Sequence, residues 1–524
     1  MTYRSFIRVP RPEERFLARW RLPRGPARNA IVRERLAHVS RQLFLPHAWE
    51  RPLAAGLEPW ENPRIPSGYT YFAQFVAHDC VQSALPTAAL QIGGGNAAPR
   101  NLRSKALELD TVYGAGFDGC RHAERHLDAG QSRSAKLPLG RLQDTRAASA
   151  KCPFRDLPRA AGEDGAVLTK VSVADDRNDN NVIVAQITVL FSMLHNAVVD
   201  MLAGAMHQPI APHAQGAILH TAARRLCSRI YRRLVTRDLM SKLLHPAIYA
   251  RYATDCPQFI DQDTRDQIPI EFPIVFRFGH ALVRPRYRFN DIYDRREDLI
   301  DVLLTTSRGR PWRLPLDESW AIRWSNFFSI AGSRPNLSRR IGPSFSADLV
   351  SDVVFAGIDE TNCAGIAYRD LLQGAGTSTW SVAALIDELR KCAPEVVRAS
   401  RMLDDDAYRE AVVRQWLSGA REATGLSTDA IADLSTDPPL LLFVLLEAAH
   451  ECDGAHLGVL GSLLVAEIVF RAMQGPGEQP EVSGSLEEPA GGVAAASGEI
   501  DTMADLISFV ADRHADSAQM VPFA

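Results

Sequence analysis

Residues 181–202 read NVIVAQITVLFSMLHNAVVDML. Apolar side chains recur there at three- and four-residue steps, the spacing that gathers them along an α-helix and that the two-residue alternation of a strand does not produce. Stretches 216–242, 381–391, 408–417 and 441–474 repeat the pattern, which prevails from about Tyr69 onward. Alternating strand patterns are few and short. The chain is therefore expected to be mainly α, a single large helical domain with very little β.

Around that domain the composition shifts. Residues 1–60 are rich in Arg and Pro and read as an irregular lead-in with one short helix near Asn29–Phe44. Residues 475–499, GPGEQPEVSGSLEEPAGGVAAASGE, carry no large aromatic side chain and read as a flexible excursion. A short helix at Asp501–Asp512 is expected to dock back. The division is thus 1–60, 61–475, 476–500 and 501–524, with no internal repeat.

With 524 residues, 46% hydrophobic and 23% charged, the chain has apolar matter for a large core, which excludes wholesale disorder. Lys and Arg number 59 against 62 Asp and Glu, a net charge of −3 that gives no support to a general nucleic-acid binder. The first twenty residues have charges throughout and no apolar core of a signal peptide. The run PLLLFVLLEAA, Pro439–Ala449, is too short to span a bilayer, which takes about 20 apolar residues. Eight scattered cysteines lack C-x-x-C spacing, so neither a zinc site nor a disulfide framework is indicated. Reduced thiols in a cytoplasm are the simplest expectation.

Four stretches carry candidate chemistry. In YFAQFVAHDC, 71–80, Gln74 and His78 are i,i+4 neighbours on one side of a helix, while Asp79 points about 100° away. Alone, such a His–Asp pair reads as readily as a structural contact. In SKALELDTVYG, 104–114, Ser104, Glu108 and Asp110 with the Ala106 carbonyl offer oxygens at alternating positions, the set a hard cation such as calcium takes at about 2.4 Å. A solvated acidic turn has the same composition.

In VADDRNDNNVIVAQITVLFSMLHN, 173–196, Arg177 stands just ahead of a long helix among Asp and Asn residues that can cap it. A cation there opposes the helix dipole and needs a separate reason: a bound anion, a reacting oxygen, or simple exposure. In FPIVFRFGHALVRPRYRFN, 272–290, His280 lies in an apolar run flanked by Arg277, Arg284 and Arg286. A neutral imidazole with cations nearby suits an axial haem ligand, and a buried core histidine equally.

Read in order, AQFVAHD, LELDTVYG, ADDRNDN…LHN and RFGHALVRP resemble motifs of the animal-type haem peroxidase superfamily (the peroxidase–cyclooxygenase superfamily), in particular its bacterial members. The resemblance covers roughly residues 60–475 and the last helix. It implies that His78 is the distal histidine, Gln74 its neighbour over the haem, Arg177 the distal arginine and His280 the proximal iron ligand. It further implies calcium held by Asp79, Ser104, the Ala106 carbonyl, Glu108 and Asp110. His195 and Asn196 match the family's H-N and are read as packing residues.

The departures bear on the substrate. Family members that esterify their haem use an Asp directly before the distal His and a Glu three residues after the distal Arg. Those positions are Ala77 and Asn180 here, which implies non-covalent haem b and organic reductants rather than halide. The family's Asn beside the proximal His aligns with Asp370 in YRDLLQG, and the Arg after it with Gln373. An Asp there gives the imidazole more anionic character. The radical-forming Tyr of the oxygenase branches aligns with Arg277, read instead as a haem-propionate partner.

Together these imply a peroxidase that reduces hydrogen peroxide and oxidises a small organic donor through a ferryl intermediate. A dedicated biosynthetic haem oxygenase or peroxygenase acting on one metabolite is the alternative within the fold. A non-catalytic haem- or calcium-binding scaffold is the alternative of another class.

Overall fold

The computed structural model describes residues 8–25, 27–50, 56–83, 92, 101–103, 107–114, 135–143, 155–162, 168–205, 212–254, 259, 271–291, 296–350, 365–377, 379–419, 425–473, 500–514 and 523. Ser104, Ala106 and the segment 475–499 lie outside the described residues.

Helix Val182–Ala205 is the axis of the fold, and from Val182 to Val199 every side chain on it is buried. It is apolar and long enough to cross a membrane, yet its most apolar window, of mean hydropathy 1.9, lies wholly inside the protein. It is a core helix, surrounded by Gly68–Cys80, Pro212–Arg233 and Met503–Arg513. Its polar residues are satisfied locally. The Thr188 and Ser192 hydroxyls each donate to the carbonyl four residues back, at 3.0 Å. Phe75 stacks on Phe191 with ring centroids 4.9 Å apart, so the His78 helix and the axis share one aromatic core.

The ends of these helices fix the site. Asn181 caps the axis: its Oδ1 accepts from the Ile183 and Val184 amides at 3.1 and 2.9 Å. Its Nδ2 donates to Gln74 Oε1 at 3.0 Å, tying that cap to the middle of the His78 helix. Gly68 begins the latter helix against Phe328, where a Cβ would come within 2.5 Å of the ring. Only glycine fits that approach.

Two expected helices are interrupted. The stretch 216–242 runs as helix Pro212–Arg233, a π-helical turn Leu234–Leu239 and a short helix Met240–Leu243. Asp238, on the π turn, is buried and accepts from the Tyr69 hydroxyl, Lys242 Nζ at 2.7 Å and the Met503 amide at 2.7 Å. It thereby joins the start of the His78 helix to the last helix.

The stretch 441–474 is two helices, Leu440–Cys452 and Val459–Ala472, because Asp453 and Gly454 take left-handed conformations at φ 50° and 68°. The Glu447 carboxyl caps the second helix through the Leu460 and Gly461 amides at 2.8 and 3.1 Å. Burial, then Glu451, pushes that carboxyl up to about 8.

The lead-in belongs to the same core. Its helix, Ala27–Gln42, packs on Gly365–Gly376, and Phe16, Leu17 and Trp20 ahead of it are buried. The last helix, Met503–Arg513, starts in a Thr502–Asp505 capping box and buries Met503, Leu506, Ile507 and Val510. Among the described residues, strands form three two-stranded antiparallel sheets: Glu61–Pro66 with Leu337–Arg339, Arg159–Ala161 with Leu168–Val171, and Arg286–Arg288 with Arg296–Asp298.

Candidate active site

His78 sits near the C-terminal end of its helix, buried. Its Nδ1 donates to Asn178 Oδ1 at 3.0 Å, an oxygen that also accepts from the Thr111 hydroxyl at 3.0 Å. Asn178 Nδ2 donates to the Thr111 carbonyl at 3.1 Å. That last bond fixes which way the amide faces, since only the NH2 can donate to a carbonyl. The His78 tautomer follows: Nδ1 carries the proton and Nε2 the lone pair. Burial first, and the charge of Arg177 second, pull the imidazole down to about 4, so it is neutral at pH 7.

Arg177 finds its reason for standing ahead of the axis in Asp175. Its Nη2 pairs with that carboxylate at 2.6 Å and also donates to the His78 carbonyl at 2.7 Å, while Nη1 donates to the Val81 carbonyl at 2.7 Å. Arg103 makes a parallel set, Nε to the His78 carbonyl at 2.9 Å and Nη2 to Asp175. Two cations thus close the open carbonyls at the end of the His78 helix. Asp175 is buried, which by itself raises its carboxyl, but the bond from Arg177 and the nearby cations hold it below the ordinary carboxylate value.

Asp79, next to His78, is buried and faces the loop after Leu107. Its Oδ2 and Oδ1 accept the Leu109 and Thr111 amides at 3.2 and 3.0 Å. Leu107 and Leu109 take left-handed conformations, at φ 49° and 60°. Burial and the neighbouring Asp110 push the Asp79 carboxyl up to about 7. Glu108 is turned outward, its carboxylate half-exposed and 3.5 Å from Arg232, and Asp110 lies 3.7 Å from Arg224. Of the expected cation ligands, the structure brings Asp79 and Asp110 together and sets the Glu108 side chain apart.

His280 lies on the 3-10 helix Arg277–Leu282, which the chain enters through Phe276 at φ 57°. Its side chain is 27% exposed and its Nδ1 donates at 2.6 Å to Asp370 Oδ2, whose side chain is fully buried on helix Gly365–Gly376. Asp370 is thus the side chain set against His280 Nδ1. Arg277 reaches the same carboxylate. Its Nη1 donates to Asp370 Oδ1 at 3.2 Å, because in a 3-10 helix residues three apart lie on one face. No described residue hydrogen-bonds to Nε2 of either His78 or His280.

His195 and Asn196 have no part in this arrangement. His195 Nδ1 accepts the Tyr113 hydroxyl at 2.9 Å, its Nε2 donates to the Ala135 carbonyl, and burial pulls it down to about 3. Asn196 brackets the backbone of Leu137 at 2.7 and 2.9 Å. The sequence reading did not single out Asn178, Thr111, Asp175 or Arg103. Asp175 and Asn178 flank Arg177 in ADDRNDN, where their capping composition is visible, but their partners lie far along the chain.

The family profile described as Animal haem peroxidase matches residues 64–327. No curated protein matches the chain in sequence. Peroxidase A from Dictyostelium discoideum is similar in structure with a TM-score of 0.55 at 13% identity, covering 91% of this chain and 89% of that one. Fatty acid alpha-dioxygenase from Oryza sativa gives 0.50 at 11% identity, over 92% of this chain and 78% of that one. The Arabidopsis thaliana fatty acid alpha-dioxygenase gives 0.51 at 10%, over 93% and 76%. At these identities the likeness concerns the fold.

Proposed function

The chain belongs to the animal haem peroxidase family, and from that membership we propose that it is a haem-dependent peroxidase that reduces hydrogen peroxide and oxidises a small organic donor. The observation that carries the proposal is the pair of imidazoles. Each has Nδ1 committed to a side-chain oxygen and Nε2 left for chemistry. One is backed by a carboxylate, as suits an iron ligand, and the other by a neutral amide, as suits a base.

His280 Nε2 would hold the haem iron, with Asp370 orienting the ring. Bound there, haem supplies the redox chemistry that takes oxidising equivalents from peroxide and passes them to the donor. With Ala77 and Asn180 where ester-forming carboxylates would stand, the cofactor is non-covalent haem b.

His78 Nε2 takes a proton from incoming peroxide and returns it to the departing oxygen. Arg177, whose guanidinium is held by Asp175 and by the His78 and Val81 carbonyls, acts on this step through its charge, which favours the neutral form of His78. Gln74, one turn before His78 and fixed by Asn181, presents its amide on the same side. Asp79 and Asp110 are the side chains that would hold calcium here, tying the His78 helix to the following loop; Glu108, turned toward Arg232, would not reach it without moving.

The test is an optical spectrum of purified protein before and after acid–acetone extraction, then with one equivalent of peroxide. An extractable haem b whose Soret band shifts with peroxide is expected, together with turnover of simple phenols. Haem that resists extraction contradicts non-covalent binding, and protein that takes up no haem contradicts the whole reading. Full haem and peroxide response with poor phenol turnover favours a dedicated oxygenase, and full haem with no peroxide response favours a scaffold.

A further inference from the structure

Asp370 is a fully buried carboxylate with two donors, one on each oxygen: His280 Nδ1 at 2.6 Å and Arg277 Nη1 at 3.2 Å. Both come from one 3-10 helix, three residues apart, so a single turn of backbone aims them at the same acceptor. A buried carboxylate facing only a neutral imidazole would draw strongly on the ring proton and make the ring a more anionic donor at Nε2. A guanidinium on its second oxygen offsets that charge.

We propose that Arg277 is a positioning residue whose part is to neutralise Asp370, so that His280 is backed by a charge-balanced pair rather than by a free carboxylate. The inference rests on His280 being the haem ligand, and it assigns Arg277 to the carboxylate behind the ring rather than to a haem propionate. Asp370 and Arg277 then act as one unit. Asp370 sets the direction of the Nδ1–H bond, and Arg277 limits how much electron density that bond sends to Nε2.

The test is a double-mutant cycle on the haem-loaded protein: wild type, R277Q, D370N and R277Q/D370N. Three readouts are taken, namely haem dissociation constant, ferric–ferrous midpoint potential and the ferrous iron–histidine stretching frequency. R277Q is expected to lower the potential and raise the stretching frequency while keeping haem, because the carboxylate is left uncompensated. D370N is expected to do the reverse. In the D370N background, adding R277Q is expected to change potential and frequency little, since Arg277 acts through Asp370. R277K, which keeps the charge, is expected to restore most of the wild-type potential.

The same cycle read by thermal melting of the haem-free protein is expected to show a drop for R277Q that shrinks in the D370N background. Equal shifts from R277Q in both backgrounds, or weakened haem binding with no change in stretching frequency, would overturn the inference in favour of a propionate contact. A wild-type chain that takes up no haem would remove the peroxidase reading and this inference together, whereas haem uptake with additive shifts removes the inference alone.

Discussion

His78 and His280 are held in the same way and backed differently. Each gives its Nδ1 proton to a side-chain oxygen, at 3.0 and 2.6 Å, and each keeps Nε2 clear of described hydrogen-bond partners. Behind His78 is a neutral amide, locked by Thr111, with the cation Arg177 nearby. Behind His280 is a carboxylate, itself paired with Arg277. Under the proposed function, that difference suits one residue type to two duties. An amide orients the ring without adding negative charge, so the imidazole gives up its proton readily. A carboxylate orients the ring and enriches it, as a metal ligand requires.

The contrast can be broken or sharpened one residue at a time. The largest effect is expected from His280→Ala, which should abolish the Soret band of the reconstituted protein. Normal haem content in that variant would place the iron ligand elsewhere.

Asn178→Asp makes the two sides alike. A carboxylate behind His78 favours its protonated form, so the pKa should rise from about 4. Because the base must be neutral, the rate of reaction with peroxide falls as pH drops through that pKa. The acid limb of the rate profile should therefore move to higher pH in Asn178→Asp. A limb in the wild-type position would show that Asn178 does not govern His78.

Chelation and the cation loop come next. Asp110→Ala, which removes a buried carboxylate beside Asp79, should lower calcium content and melting temperature more than Glu108→Ala, whose carboxylate is half-exposed. Equal, wild-type-like calcium contents in both would count against that site.

The smallest effect is expected from Thr111→Val. It removes one hydrogen bond to Asn178 while keeping shape, at a cost of about 1 kcal/mol in stability. A modest fall in peroxide reactivity should accompany it as the amide loosens, measurable by stopped flow beside a denaturant titration.

Much of this architecture was legible in the chain. Apolar residues at three- and four-residue steps marked the axis, although a helix buried all round keeps only a weak 3.6-residue period, and the caps at Asn181 and Thr502 agree with their composition. The π turn at Leu234–Leu239 left no such mark, since one extra residue in a turn hardly alters the apolar pattern. The division at Asp453–Gly454 did carry a turn signal, hidden by apolar runs on both sides.

At the site, His78, Asp79, Arg177 and His280 announce themselves because their motifs are local. Asn178–Thr111–His78 does not, because it joins three segments that only the packing of the fold brings together. Arg177 shows the same limit. Its place ahead of a helix was visible, but its bonds to the His78 and Val81 carbonyls, at the end of the His78 helix, depend on tertiary structure.

In the proposed function His78 transfers the proton and does not hold haem. The direct measurement is the rate of reaction of His78→Ala with hydrogen peroxide, referred to its own haem content. Wild-type haem content is expected, with a rate lower by about 10²–10⁴-fold, the usual contribution of a positioned acid–base group. A wild-type rate at full haem content would contradict it.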